Sequence, residues 1–210
     1  MRCKRVLVLS PHPDDGEIGC GATMARFIDE GATVYHALFC AAENIGDQKV
    51  KQELRYNEFA RANKLMGIPP AAQFTFDFPH RHLEVMRQTI LDEMVNLNAS
   101  IKPHLVLMPC LHDLHQDHRV IADEGVRAFK RTNVWGYEML WNNLTFNTHT
   151  FVRVDTLHIE KKERSIMAYE SQKHRDYING DFIRSHARAR GVQAGMKHAE
   201  AFEHIRGIVL

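Results

Sequence analysis

The chain has little cysteine. Cys3, Cys20, Cys40 and Cys110 are the 4 in 210 residues, with no C-x-x-C pair and no zinc-finger spacing. Neither a disulfide scaffold nor a cysteine-closed structural zinc is supplied. Each cysteine lies in or beside an apolar segment, where buried, reduced thiols are expected. Long hydrophobic runs are absent too: nothing approaches the roughly 18 apolar residues of a membrane span. The apolar stretch Val6 to Leu9 is shorter than the roughly 7–15 residues of a signal-peptide core, and no lipidation motif is present. A soluble, cytoplasmic protein is the expectation. Net charge is also lacking, at 27 Lys+Arg against 26 Asp+Glu for a formal +1. No whole-protein field therefore recruits nucleic acid or an acidic membrane surface. There is no repeat, low-complexity tract or Pro/Gly/Ser linker, so a single domain over residues 1–210 is expected, long enough to bury a core unaided. What the chain has in quantity is histidine, 14 residues or one in fifteen. Histidine titrates near neutrality and is the commonest metal ligand, so its placement decides what the excess means.

The first two thirds alternate between buried-strand runs and amphipathic helical spacing. Strands are expected at Arg5 to Ser10, Thr33 to Cys40, Gln73 to Phe78, His104 to Cys110 and Trp135 to Leu140. Helices are expected at Glu17 to Glu30, Asp47 to Met66, Glu84 to Ala99 and Asp117 to Lys130. Beyond them the pattern predicts a strand near Phe151 to Val154, a helix around Lys161 to Tyr169 and a last helical segment reaching about Arg206. Apolar strands alternating with helices indicate an α/β fold, Rossmann-like, with a mostly parallel sheet covered on both faces. In such sheets ligands bind beyond the strand carboxyl ends where strand order reverses, commonly between the first and fourth strands.

The segments after those two strands carry the chemistry. After the first come His12, Asp14 and Asp15, stiffened by Pro11 and Pro13; after the fourth come His112, Asp113, His115, Asp117 and His118. A catalytic zinc takes three ligands from the His/Asp/Glu set and keeps one position open, and ferrous iron accepts two histidines and a carboxylate. The plain alternative is helix capping, by Asp15 for one helix and by Asp113 or Asp117 for the next. Capping accounts for one such residue but not for this many in two short loops. Dinucleotide binding is excluded: Gly16, Gly19 and Gly21 give G-x-x-G-x-G, the reverse of the required order, and carboxylates sit where a pyrophosphate would dock. Small residues at Gly19, Gly21 and Ala22 instead allow a helix to pack closely on the sheet. No Walker A lysine and no G-x-S-x-G elbow is present.

The strings HPDDGEIGCGAT at 12–23 and DLHQDH at 113–118 together resemble the paired signature of the zinc-dependent PIG-L/LmbE-like de-N-acetylases, in their bacterial branch. The likeness extends through LRYNEFARANKLMGI at 54–68, YESQ at 169–172 and QAGMKHAEAF at 193–202. It implies a Rossmann-like fold and removal of an N-acetyl group from an N-acetylglucosamine-type amino sugar or its conjugate. It also implies that His12, Asp15 and His118 bind zinc and that Asp14 is the general base. His115 would be the general acid or oxyanion stabiliser, oriented by Asp117. The common form of the motif has glutamate directly after the two aspartates; here Gly16 intervenes, which leaves the role of Glu17 open. His112 and Asp113 remain as loop-forming residues or partners of the ligands.

The chemistry suits those roles, because a divalent ion lowers the pKa of water to about 7 and polarises a carbonyl. Substrate contacts are sought at Arg55, Arg81, His82 and His198. Arg55 with Glu58 has the spacing of a solvated helical ion pair, and His198 with Glu200 is expected on a helix. Zn2+ is the expected cofactor, with Fe2+ or another divalent metal equally supplied by the donor set. The expected partner is a small amino-sugar substrate, with no nucleic acid and no membrane span; a homo-oligomer is compatible with all of this. The competing functions are a phosphoesterase-type metal hydrolase on the same scaffold and a non-catalytic sugar- or nucleotide-binding module.

Overall fold

β1 (Arg5–Ser10) is apolar from Val6 to Leu9 because both of its faces are covered. In the computed structural model, which describes residues 3–40, 44–45, 48–49 and 52–209, Val6 and Val8 join one core cluster and Leu7 and Leu9 another on the opposite face. The chain continues through α1 (Asp15–Asp29), β2 (Thr33–Leu38), β3 (Asn44–Ile45), β4 (Gln48–Lys49) and α2 (Gln52–Met66). β5 (Gln73–Thr75), α3 (Arg87–Ile101), β6 (Leu105–Pro109), α4 (Gln116–Ala128) and β7 (Asn133–Tyr137) follow. β8 (Thr150–Arg153), α5 (Thr156–Ile166), α6 (Gly180–Gln193) and β9 (Ala199–Arg206) complete it.

Among the described residues seven strands form one sheet in the order β5-β2-β1-β6-β7-β9-β8, and β3 pairs with β4. The first five of that order run parallel; β9 is antiparallel to both its neighbours. The fold class is therefore the expected one, a mostly parallel α/β sheet. β1 pairs with β6 in the register Val6↔Leu105 to Val8↔Leu107, while the chain leaves β1 toward β2 on the other side. Strand order reverses between β1 and β6, so their carboxyl ends open the crevice that such sheets use for ligands.

Two expectations need correction. The segment ending near Arg206 is not helical to its end: α6 stops at Gln193 and Ala199–Arg206 is strand β9. Ala199 to Glu203 are buried in succession, which places side chains of both strand faces out of solvent, whereas a surface helix would bury one stripe. The helix expected from Asp47 is described from Gln52, with Gln48–Lys49 in β4; positions 47, 50 and 51 lie outside the described residues.

β9 also explains a break in α1. Cys20 has non-helical angles, φ −147° and ψ 20°, which frees backbone groups in a buried helix. Glu200 accepts from the N–H groups of Ala22 and Thr23 at 3.2 and 2.7 Å, and Lys162 Nζ donates to the Ile18 carbonyl at 2.6 Å. Lys162 and Glu200 pair with each other at 2.6 Å. Close packing of α1 on the sheet depends on Gly19, where a Cβ would come within 2.3 Å of the Tyr137 ring. Among the described residues no helix is long and apolar enough to cross a membrane. The four cysteines are buried and form no disulfide with one another.

Candidate active site

The turn after β1 places Asp14 at the N-cap of α1 with φ 84° and no capping bond from its side chain. A left-handed aspartate costs of order 1–3 kcal/mol, and surrounding contacts hold it. Tyr169 supplies them: its hydroxyl meets the backbone N–H of Asp14 and donates to Glu17 Oε1 at 2.8 Å. Asp15, the first helical residue, does not cap either. Its Oδ2 accepts from the backbone N–H of His12 at 2.8 Å and faces inward. Gly16 is dictated by space, since a Cβ there would lie 2.4 Å from Ser10 Oγ and 2.6 Å from His36 Nε2. The glycine between the aspartates and Glu17 thus makes room for a buried Ser10–His36 hydrogen bond of 2.6 Å.

At the carboxyl end of β6 the chain turns into α4, whose N-cap is His115. The buried His118 lies in the first turn of α4 and points back across the crevice to β1. His12 Nδ1, Asp15 Oδ2 and His118 Nε2 converge, with separations of 3.2, 3.1 and 3.3 Å. A tetrahedral zinc with bonds of about 2.0–2.1 Å holds its ligands about 3.4 Å apart, so this donor set fits one face of such a site. The opposite ring nitrogens are held as well: His118 Nδ1 faces Asp113 Oδ2 at 2.7 Å and His12 Nε2 faces Asp117 Oδ2 at 2.9 Å. A carboxylate behind each histidine fixes the tautomer that offers a lone pair forward, the usual support of a metal-binding imidazole. The residues expected to bind metal are brought together, and Asp113 gains a defined place behind His118. His112 is exposed.

Electrostatics agree with the geometry. Burial opposes charge on His118, but Asp15 and Asp113 outweigh it and hold the imidazole up at about 10. His12 is raised against burial by Asp117 and Asp15. Burial would raise Asp15, yet His118 and His12 keep it well below the usual carboxylate range. The carboxylates thus draw positive charge to this point, a demand that a divalent cation meets. His115 behaves oppositely: burial, then the neighbouring His118 and His12, pushes it down to about 4.

The link expected between Asp117 and His115 takes another form. The backbone N–H of Asp117 donates to His115 Nδ1 at 3.2 Å, while the Asp117 carboxylate turns to His12, to the Arg81 N–H at 2.8 Å and to the Leu83 N–H at 3.4 Å. His115 therefore accepts at Nδ1 and carries its proton on Nε2.

The cavity above this cluster has a volume of about 260 Å3. His12, Asp14, Asp15, His115 and His118 line it, as do Arg81 and His80. The sequence singled out Arg81 and His82 but not His80; the buried His80 faces His12 with ring centroids 4.9 Å apart, whereas His82 is exposed. The signal was available in the string FPHRH after a strand at the same sheet end. Trp141, Asn142, Gln172, Arg175 and Tyr177 complete one wall, and of these only Gln172, within YESQ, lay in a stretch the sequence marked.

Arg55, His82 and His198 do not line the cavity. Arg55 is 0% exposed and Glu58 5%, which corrects the expectation of solvation: the two stand 3.8 Å apart as a buried pair, and both also bind Ser171. His198 lines a separate depression with Arg153 to Thr156. A second group, His12, His80, His115 and Asp117, brings ligand atoms within 4.8 Å of one another. It shares His12 with the first group, and both oxygens of Asp117 already accept hydrogen bonds.

Residues 7–129, more than half of the chain, match the family described as PIG-L, GlcNAc-PI de-N-acetylase. The chain belongs to the PIG-L family. A diacetylchitobiose deacetylase of Thermococcus kodakarensis is 27% identical over 231 residues, covering 99% of this chain and 85% of that one. Among solved structures, the N,N'-diacetylchitobiose deacetylase of Pyrococcus horikoshii superposes with a TM-score of 0.77 at 21% identity, over 96% of this chain and 83% of the other. The 4-carboxy-2-hydroxymuconate hydratase GalB of Pseudomonas putida gives 0.81 at 19% identity, over 99% and 98%. This fold thus hosts more than one reaction, and activity follows from the site.

Proposed function

We propose that this PIG-L chain, acting as one domain over residues 1–210, is a metal-dependent hydrolase that removes the N-acetyl group from an N-acetylglucosamine-type amino sugar or its conjugate. The carrying observation is the convergence of His12, Asp15 and His118 at 3.1–3.3 Å, each histidine backed by a carboxylate. These residues would hold a divalent ion, Zn2+ first and Fe2+ as the alternative. Once bound, the ion supplies Lewis acidity toward the acetamide carbonyl and acidifies water.

The protein's own groups do the rest. Asp14 lines the cavity beside Asp15 with its side chain unused for capping, so it is placed to take a proton from the attacking water. His115, neutral and protonated at Nε2, donates a hydrogen bond to the oxygen that gains charge as the carbonyl becomes tetrahedral. Collapse breaks the C–N bond and the proton held by Asp14 passes to the departing amine, leaving acetate and a free amino sugar. Asp117 fixes two things at once, the His12 ring through its carboxylate and the His115 tautomer through its N–H. Arg81 contributes a substrate contact.

The related diacetylchitobiose deacetylase supports an N-acetyl sugar as substrate class. The phosphoesterase alternative needs two ions about 4 Å apart, and the second donor group would have to surrender bonds that Asp117 already makes. Zn2+-loaded protein is to be incubated with N-acetylglucosamine, diacetylchitobiose and acidic N-acetylglucosamine conjugates while acetate and metal content are measured. Acetate release with one ion per chain is expected. No acetate from any substrate despite bound metal would overturn the reading.

A further inference from the structure

Asp14 and Glu17 occupy the two positions of a capping box at the start of α1, the N-cap and the third helical residue. In such a box the N-cap side chain accepts from the backbone N–H of the third residue, whose own carboxylate reaches back to the N-cap N–H. Here the first arm is missing. The Asp14 side chain makes no capping bond, and its backbone takes φ 84° in place of the extended conformation usual at an N-cap. The carboxylate is thereby released to line the cavity. The second arm is kept, but with a third group in it. The Tyr169 hydroxyl stands between the two residues, accepting from the Asp14 N–H and donating to Glu17 Oε1 at 2.8 Å.

Tyr169 and Glu17 are both fully buried, and neither lines the cavity. Tyr169 follows α5, 152 positions beyond Glu17. Its ring belongs to a buried apolar cluster with Leu38 of β2 and with Phe59 and Ala62 of α2. That packing fixes where the hydroxyl oxygen lies and leaves only the O–H direction free. A hydroxyl carries one hydrogen and two lone pairs, so it turns a lone pair to the Asp14 N–H when its hydrogen is held elsewhere. Glu17 Oε1 holds that hydrogen. Glu17 Oε2 has no hydrogen-bond partner among the described residues, so Tyr169 supplies the bond that this buried carboxyl group has. The spacing of Glu17, with Gly16 between it and the two aspartates, is what puts it at the third helical position.

We propose that Tyr169 and Glu17 are positioning residues for Asp14. The Tyr169 hydroxyl holds the Asp14 backbone in its left-handed conformation and so aims the carboxylate into the cavity, and Glu17 sets the direction of that hydroxyl. The effect on turnover rests on the reading of Asp14 as the base, whereas the hold on its backbone is tested without substrate. Zn2+-loaded wild-type protein is compared with Tyr169→Phe, Glu17→Leu, Glu17→Gln and the double variant Glu17→Leu, Tyr169→Phe. The readouts are exchange of the Asp14 amide proton by NMR, metal content, and kcat and KM for acetate release from diacetylchitobiose and N-acetylglucosamine. In Tyr169→Phe the Asp14 amide is expected to exchange about 3- to 10-fold faster, the value of one hydrogen bond. Its kcat is expected to fall about 10- to 100-fold at unchanged KM and full metal content, the penalty of a misaimed reacting group. Glu17→Leu should give the same split, and Glu17→Gln, which still offers an oxygen to the hydroxyl, should keep most of the wild-type rate. Because Glu17 acts through Tyr169, the double variant should lose no more than Tyr169→Phe alone, whereas two independent packing defects would multiply. Unchanged Asp14 exchange in Tyr169→Phe would overturn the proposal. So would an unchanged kcat, losses that multiply in the double variant, or a loss of metal that matches the loss of rate. Absence of acetate release from the wild-type protein would remove the deacetylase reading instead, with amide exchange still deciding whether Tyr169 and Glu17 hold Asp14.

Discussion

The Asp117 carboxylate meets His12 Nε2 at 2.9 Å across 105 positions of sequence. This bond joins the loop after β1 to the loop after β6, and with the Arg81 N–H on the same oxygen it ties in the rim as well. Asp117→Asn keeps the shape but removes the charge that fixes the His12 tautomer. Metal affinity is expected to fall about 10- to 100-fold, the usual effect of losing such a partner, read by competition with a chromophoric chelator. Unchanged affinity with lost turnover would return Asp117 to the role of supporting His115.

Asp14 separates chemistry from metal binding. Asp14→Asn removes the proposed proton acceptor and leaves His12, Asp15 and His118 untouched. The expected kcat is about 10²- to 10⁴-fold lower, with full metal content by elemental analysis. Parallel loss of metal and activity would make Asp14 a ligand.

The sequence exposed the parts of this site that are local. His12 to Asp15 and Asp113 to His118 are short strings after two apolar runs, and a parallel sheet brings the ends of such runs together. The partnership of each residue was beyond reach: Asp117 stands two residues from His115 yet its carboxylate faces His12, because α4 begins at Gln116 and turns the side chain toward β1. Arg55 and Glu58 looked solvated since helical i, i+3 spacing says nothing of what covers a helix. Ser171, which binds both, comes from 116 positions beyond Arg55 and 113 beyond Glu58. β9 was misread because two buried faces erase the alternation that marks a half-exposed strand, and the glycines Gly191 and Gly195 just before it gave no clear stop.

The Lys162–Glu200 pair supports the break in α1, at Cys20, a few residues after the turn that carries Asp14 and Asp15. Glu200→Ala strands a buried ammonium and the N–H groups of Ala22 and Thr23. Removal of one partner of a buried pair costs about 3–5 kcal/mol, a fall in Tm of roughly 10 °C for a domain of this size. The double variant Lys162→Met, Glu200→Gln should recover part of the loss by leaving no lone charge, as measured by thermal and denaturant unfolding. A Tm of Glu200→Ala within about 2 °C of wild type would show that the break needs no such support.

Acid sensitivity should arise partly at Glu138, which is buried at the end of β7 and binds His186 at 2.8 Å and Arg190 from α6. Burial alone would raise its pKa, but His186 and Arg190 outweigh this and hold it below the ordinary 4.5. A carboxylate whose folded pKa is depressed binds protons more readily in the unfolded chain. Its stabilisation is therefore complete above the unfolded value and fades as pH falls through the folded one. Glu138→Gln should lower Tm at neutral pH, and the gap to wild type should shrink steadily below about pH 4.5, the unfolded value. Because Glu138 precedes Met139 and Trp141 on the cavity wall, the same variant should loosen substrate binding at neutral pH, seen as a raised KM with little change in metal content. A Tm gap that stays constant from pH 7 to pH 3, a range spanning about four units around the carboxylate pKa, would mean that the ionised carboxylate is not what anchors α6 to β7.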